Sequence, residues 1–354
     1  MPKISVVIPI YNTQSFLARC LDSVLAQTCS DWECILVNDG STDGSASICE
    51  AYCRRDSRFL LKNQSNQGSA AARNNGMALA RGEYLLFLDS DDAWPAHLLS
   101  TVLAAQENRP EDLILWRYTS RPEELANSKA SADFARFPLQ KAGQLYLESH
   151  LYYIWNKLFH LELIRSCGLL FTPGITYGED VQFSMEYLRL WFRLHLQGNF
   201  SLSVQPLYYY EDGNDSSVTY RLKPCYCENE LWLTEQVLDW FSRDFPLPRE
   251  DFTRIVLHLV KTLAGGLSVD LAQPHGLAIA RQHLRHPTAR RLIDTARTLG
   301  CYSPFVPLMA GNCTVLTARL GGLMLKESRW YHRVYWAGWH LRRLRTGTKP
   351  PVMF

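Results

Sequence analysis

Asp89–Ser90–Asp91–Asp92 puts three carboxylates within four residues, directly after the apolar run YLLFL. Carboxylates this close repel unless a cation sits among them. Hard divalent cations take oxygen ligands, and Mg2+ is usually shared between one or two carboxylates and substrate phosphates. Mn2+ suits the same ligands. The same string also suits a solvated acidic turn before the helix that Pro95 can open. Polar groups recur after the other early apolar runs. Pro9, Tyr11 and Asn12 close the first, Asp39–Gly40–Ser41–Thr42–Asp43 the second, and Asn66–Gln67–Gly68 the third, with Arg73 and Asn74 just beyond. DGSTD also makes a good turn and helix cap, and Tyr11–Asn12 a plain strand-to-helix turn. The order and spacing of these groups say more than any one of them.

Such groups need strands to carry them to one rim. Lys3–Ile10, Glu33–Asp39, Phe59–Gln64, Tyr84–Ser90 and Asp112–Tyr118 read as strands. Between them, Phe16 to Leu25 repeats at helical spacing. Ser41 or Thr42 can cap a second helix, and Ala70–Arg81 is a small-residue helix stopped by Gly82. Alternating strands and helices predict an α/β fold, a mostly parallel sheet with helices on both faces. Ligands bind such sheets beyond the carboxyl ends of the strands. No GxGxxG follows the first strand and no GxxxxGK[ST] occurs, so dinucleotide and P-loop readings lack their fingerprints. From about Cys225 helical periodicity returns through Leu231, Val237, Leu238, Phe241, Ile255, Leu259 and Leu263.

The 354 residues are enough for two or three domains, and 47% hydrophobic with 20% charged residues is an ordinary globular balance rather than a disordered one. A net charge of +2 gives no reason to expect nucleic acid. Arg319 to Lys349 holds eight Lys/Arg against one acidic residue, a local +7 that leaves −5 for the rest. Trp330, Tyr331, Tyr335, Trp336 and Trp339 lie among those arginines, a composition that reads as a helix lying on an anionic membrane surface. Docking of this tail on the protein's own core is the competing reading. Ten cysteines without a CxxC pair, and no signal peptide, suggest a cytosolic protein with reduced thiols. No clear membrane-spanning run is expected; Thr298–Ala318 is uncharged but broken by Pro304, Pro307, Gly311 and Asn312.

VVIPIYN, ILVNDGSTDGS, NQGSAAARNNG and GEYLLFLDSDD together resemble the signature of family-2 glycosyltransferases of the GT-A fold, of the bacterial surface-polysaccharide type. WNKLF, YGED and Tyr208–Thr219 extend the resemblance more loosely to about residue 220. It implies a nucleotide-sugar-binding half (1–118) and an acceptor-binding half (119–222); beyond it, periodicity and composition mark a helical C-terminal region (223–318) and the basic aromatic tail (319–354). It implies a nucleotide-sugar donor, a UDP-sugar if Asp39 reads uracil, contacted by Pro9, Tyr11, Asn12, Asp39, Gly68, Arg73, Asp89 and Ser90. Asp91 and Asp89 match the outer positions of the DXD motif and would hold Mn2+ or Mg2+. The acidic pair implies Asp180 as the base, with Glu179 as the neighbour that tunes it. Trp155, Asn156 and Lys157 would face the acceptor, a glycan or polyprenyl-linked glycan.

A base opposite the leaving group means single displacement with inversion. Ser216–Ser217 departs from the Gly-Ser frequent in relatives, which leaves a diphosphate contact by Ser217 or Thr219 open. His195 and His258 read as structural. Two rivals stand beside this reading. A sugar-nucleotide nucleotidyltransferase would need a Gly-rich loop where Tyr11–Asn12 stands, and a non-catalytic glycan-binding relative should have lost the DXD string or the acidic pair.

Overall fold

The structure, a computed structural model, describes residues 1–130, 133–174, 178–212, 226–245, 247–301, 303 and 305–325. The chain divides into two compact units, Met1–Ser216 and Ser217–Phe354. The first opens with β1 (Ile4–Ile10), α1 (Gln14–Leu25), β2 (Trp32–Asp39), α2 (Ser45–Arg55), β3 (Phe59–Gln64), α3 (Ser69–Leu79), β4 (Tyr84–Phe87) and α4 (Leu98–Asn108). It continues with β5 (Leu113–Thr119), α5 (Pro122–Ala126), β6 (Phe134–Phe137), α6 (Ala142–Leu147), β7 (Phe159–His160), α7 (Leu161–Ser166), α8 (Glu179–Leu194) and β8 (Phe200–Tyr209).

The main sheet has the order β3-β2-β1-β4-β7. Its first four strands are parallel and β7 is antiparallel to β4. Every residue of β2 and β4 is buried; the apolar runs Cys34–Val37 and Tyr84–Phe87 are covered on both faces, and Glu33 of β2 is paired with Arg81 and Ser5. α3 lies against β1 and β2. A Cβ on Gly76 would come within 2.4 Å of Val7 Cγ1, so the small residues of α3 are what allow this approach.

Three local expectations are corrected. β5 does not join the main sheet; it pairs parallel with β8, which pairs antiparallel with β6. Its apolar run reads the same whichever sheet takes it. Ser41 and Thr42 do not cap α2, whose N-cap is Gly44; both are bonded to Asn12 instead. Pro95 precedes α4 by a turn rather than opening it, and Leu98 N donates to Pro95 O at 3.1 Å.

The second unit holds α9 (Tyr226–Asp239), α10 (Arg249–Leu271), α11 (Gly276–Arg285), α12 (Pro287–Leu299), α13 (Phe305–Ala310) and α14 (Thr314–Leu325). α10 packs against α9, α11, α12 and α14. The α14 contact is close enough that a Cβ on Gly321 would lie 2.1 Å from Ala264 O. α10 is the one described helix long and apolar enough, by length and composition alone, to cross a membrane. Ile255, Leu259 and Leu263 are buried along it, as core positions are. The tail from 326 onward, and Ser216, Ser217 and Thr219, lie outside the described residues.

Candidate active site

Four loops at the carboxyl ends of β1 to β4 form the rim, and named side chains tie them together. Asn12 sits in the left-handed region, with φ 53°. Its N–H donates to Ser41 Oγ at 3.1 Å, and its Oδ1 accepts from Thr42 N at 2.7 Å. Asn12 thus locks the first loop to the second. Asp39 locks the second to the third. Its carboxylate accepts from Gln64 Nε2, Gln67 N and Gly68 N, each at 2.8 Å. Gly40 needs its φ of 73° and also its missing Cβ, which would stand 2.9 Å from Asn66 N. Gly68 has φ 87° with nothing within 4 Å of where a Cβ would point, so its backbone is open to approach. Tyr11 is exposed, Pro9 half-buried and Ser90 buried.

The acidic string leaves β4 as a turn closed by Asp92 N donating to Asp89 O at 3.0 Å. Asp92 points inward. Its Oδ2 accepts from Tyr208 Oη at 2.5 Å and its Oδ1 from Glu211 N at 2.8 Å. Burial, with Asp89 and Asp91 beside it, pushes its carboxyl well above the usual range. The next residue, Ala93, exchanges backbone bonds with Tyr209 at 3.2 and 2.8 Å. Arg19 completes the clamp. It donates to Asp91 O at 2.5 Å, pairs with Glu211 at 2.8 Å and stands over the Tyr209 ring. The end of β8 therefore grips the acidic turn and leaves Asp89 and Asp91 half-buried at the rim.

Arg73 connects this turn to the acidic pair. It is buried on α3, with Nη2 3.0 Å from Asp89 Oδ1 and Nη1 3.2 Å from Glu179 Oε1. Ser69 donates to the same Glu179 oxygen at 3.1 Å. Glu179 and Asp180 open α8 after Gly178, which has φ 92°. α8 is held by aromatic packing of Phe183 flat on Phe171 at 4.1 Å, with Phe87 and Phe159 edge-on. Asn74 fixes Phe171 in turn, bonding its backbone N and O at 2.9 and 2.8 Å. Burial and the neighbouring Glu179 raise the Asp180 carboxyl to about 7, against the lowering effect of Arg73. A carboxyl poised there can take a proton near neutral pH.

Trp155, Asn156 and Lys157 lie inside the protein. The Trp155 indole stacks between Tyr153 at 4.3 Å and Tyr208 at 4.2 Å. Asn156 Nδ2 donates to His150 O at 2.9 Å, and Lys157 Nζ donates to Asn156 Oδ1 at 2.7 Å and to Tyr153 O. Burial holds the Lys157 ammonium well below its usual range, partly offset by Asp180. This segment bridges Lys157 to Leu115 of β5 and then runs into β7 on the main sheet. It is the seam between the two sheets. His195 stacks on Trp191 at 4.0 Å, as a structural histidine would. Reading the sequence missed Tyr208, Glu211, Arg19 and Ser69; the DXD string gives no sign of what grips it.

Asp89, Asp91 and Glu179 outnumber the one positive charge of Arg73, so the rim is net negative. An oxygen-only, net-negative donor set fits a hard divalent cation, which Asp89 and Asp91 would hold.

This combination of sheet order, acidic turn and helical second unit defines a GT-A-like α/β fold. The TarS 1–349 fragment of S. aureus, solved in complex with UDP-GlcNAc, superposes with a TM-score of 0.63 over 92% of each chain at 17% identity. The family model described as glycosyl transferase family 2 matches residues 5–167. The putative glycosyltransferase EpsH of Bacillus subtilis is 32% identical over 271 residues, covering 73% of this chain and 75% of that protein. The uncharacterized glycosyltransferase EpsJ of the same bacterium is 32% identical over 195 residues, and there the match spans 57% of the relative's length. The chain belongs to glycosyl transferase family 2.

Proposed function

We propose that the protein transfers a sugar from a nucleotide-sugar, a UDP-sugar, to a hydroxyl of a glycan or lipid-linked glycan, by single displacement with inversion. One observation carries this reading: Arg73 bonds both Asp89 of the acidic turn and Glu179 of the acidic pair, which joins a diphosphate-side group to a base-side group. Tyr11, Pro9 and the loop pinned by Asp39 take the base and ribose, with Asn12 keeping that loop in register. The open backbone at Gly68, with Ser90 behind the turn, flanks the sugar and diphosphate. The UDP preference draws on the fold shared with TarS, which was solved with UDP-GlcNAc.

Asp180 takes the proton of the acceptor hydroxyl as that oxygen attacks the anomeric carbon and the bond to the nucleoside diphosphate breaks. Glu179, tied to Arg73 and Ser69, keeps the Asp180 carboxyl raised by its charge. A Mn2+ or Mg2+ ion held by Asp89 and Asp91 would neutralise charge on the leaving diphosphate. Trp155, Asn156 and Lys157 back the acceptor side from within. The basic aromatic tail holds the enzyme at an anionic membrane surface, where a lipid-linked acceptor resides.

The test is a panel of sugar nucleotides incubated with Mn2+ and glycan acceptors, read by diphosphate release and by the anomeric configuration of the product. Transfer from a UDP-sugar with an inverted linkage is expected. Retained configuration would reject the single displacement, and no turnover with any donor would favour a non-catalytic relative. Cosedimentation with anionic vesicles, lost at high salt and on deletion of the tail, tests the membrane placement.

A further inference from the structure

In the helical unit, three side chains of different chemistry meet in a buried cluster. Cys227 comes from α9, Asp270 from the end of α10 and His283 from α11. One ligand atom from each lies within 4.8 Å of the other two. His283 Nδ1 stands 2.8 Å from Asp270 Oδ2. Asp270 is fully buried; its second oxygen, Oδ1, has no partner of ordinary hydrogen-bond geometry, and the Cys227 thiol is the polar group bonded to the carboxylate besides His283. A buried carboxylate oxygen held only by a weak thiol donor costs free energy, which a cation bound between the three side chains would recover. The surrounding backbone is built around this point. A Cβ on Gly266 of α10 would lie 3.2 Å from Cys227 Sγ, so glycine lets the thiol sit against α10. A Cβ on Gly276 would lie 2.2 Å from Asp270 O, so glycine also lets α11 start against the end of α10.

We infer that Cys227, Asp270 and His283 form a structural Zn2+ site that fastens α9, α10 and α11 together. Thiolate, imidazole and carboxylate together suit zinc rather than the hard cations expected at the acidic turn. Zinc bonds of about 2.0–2.3 Å in a tetrahedron space the ligand atoms by roughly 3.3–3.8 Å. The His283–Asp270 pair at 2.8 Å must open by about half an ångström, and the wider separations, all under 4.8 Å, must close by up to about 1.5 Å, to reach that. These three side chains leave the fourth tetrahedral position to a water molecule, since Glu228 faces the other ring nitrogen: its Oε1 lies 3.6 Å from His283 Nε2, whereas Nδ1 faces Asp270. The largely exposed Glu228 side chain marks the side of the cluster that reaches solvent, which gives the ion a route in. Binding releases the Cys227 thiol proton and any proton shared between His283 and Asp270 to solvent.

The test uses the full chain purified without a histidine tag and dialysed against metal-free buffer, with zinc measured by elemental analysis. About one zinc per chain is expected. Cys227→Ser should lose it, while Asp91→Asn should keep it. A strong chelator should lower the Tm of the Asp91→Asn variant by roughly 5–10 °C, the size expected when an ion bound well above its dissociation constant is removed. Should Cys227→Ser fail to fold, Co2+ loading of the intact protein decides. A thiolate-to-cobalt charge-transfer band in the near ultraviolet supports the site. Zinc that persists in Cys227→Ser overturns it. So does a protein that carries no zinc and gives no such band with Co2+.

Discussion

Tyr208 donates its hydroxyl to Asp92 at 2.5 Å, and that bond joins the last strand of the first unit to the acidic turn after β4. Asp92 is thereby an anchor, not a ligand. Tyr208→Phe should leave its buried carboxyl one partner short, at a cost of about 1–3 kcal/mol. A Tm lowered by roughly 2–8 °C is expected, with a several-fold higher metal concentration needed for half-maximal activity. Unchanged metal dependence in a folded variant would separate the anchor from the catalytic turn.

Asp91→Asn should remove turnover and the metal-dependent part of donor binding while the melting curve in metal-free buffer stays put. Calorimetric titration of donor with and without Mn2+ reads both. Full activity in this variant, or undiminished wild-type activity in chelator, would contradict the metal assignment.

Arg73 lowers the Asp180 carboxyl toward its ionised form. Arg73→Gln removes that positive charge, so the carboxyl should rise and the acid limb of the kcat/KM profile should move to higher pH by about one unit. Activity should fall more at pH 7 than at pH 9. An acid limb that stays in place, or moves to lower pH, would detach Arg73 from the base.

The raised Asp180 carboxyl also has a stability consequence. The folded protein keeps a proton that the unfolded chain releases between its ordinary pKa of 3.8 and about 7. Stability from this group therefore falls as pH rises through that window. Asp180→Asn should raise Tm by a few degrees at pH 8, and the gain should shrink as pH falls toward 4. Thermal melts of both proteins across pH 4–8 check this sign.

Much of the first unit was legible in the sequence, for a physical reason. β1, β2 and β4 each carry an apolar run covered on both faces, and each run is followed by polar residues at the carboxyl end. The rim residues are readable because the carboxyl ends of parallel strands fall on one side of the sheet. What grips them could not. Tyr208 and Glu211 reach Asp92 across well over a hundred residues, and no local pattern records such a bond. WNKLF reads equally as a surface motif and as the buried seam it forms between β5 and β7. Cys227, Asp270 and His283 have no motif spacing, because three separate helices bring them together.

As the proposed base for glycosyl transfer, Asp180 is best probed by single-turnover transfer in Asp180→Asn, with donor affinity measured on the same protein. A rate about 10²–10⁴ lower at unchanged donor affinity is expected, with the wild-type limb near pH 7 gone from the profile. Wild-type transfer rates, or a loss explained entirely by weaker donor binding, would contradict it.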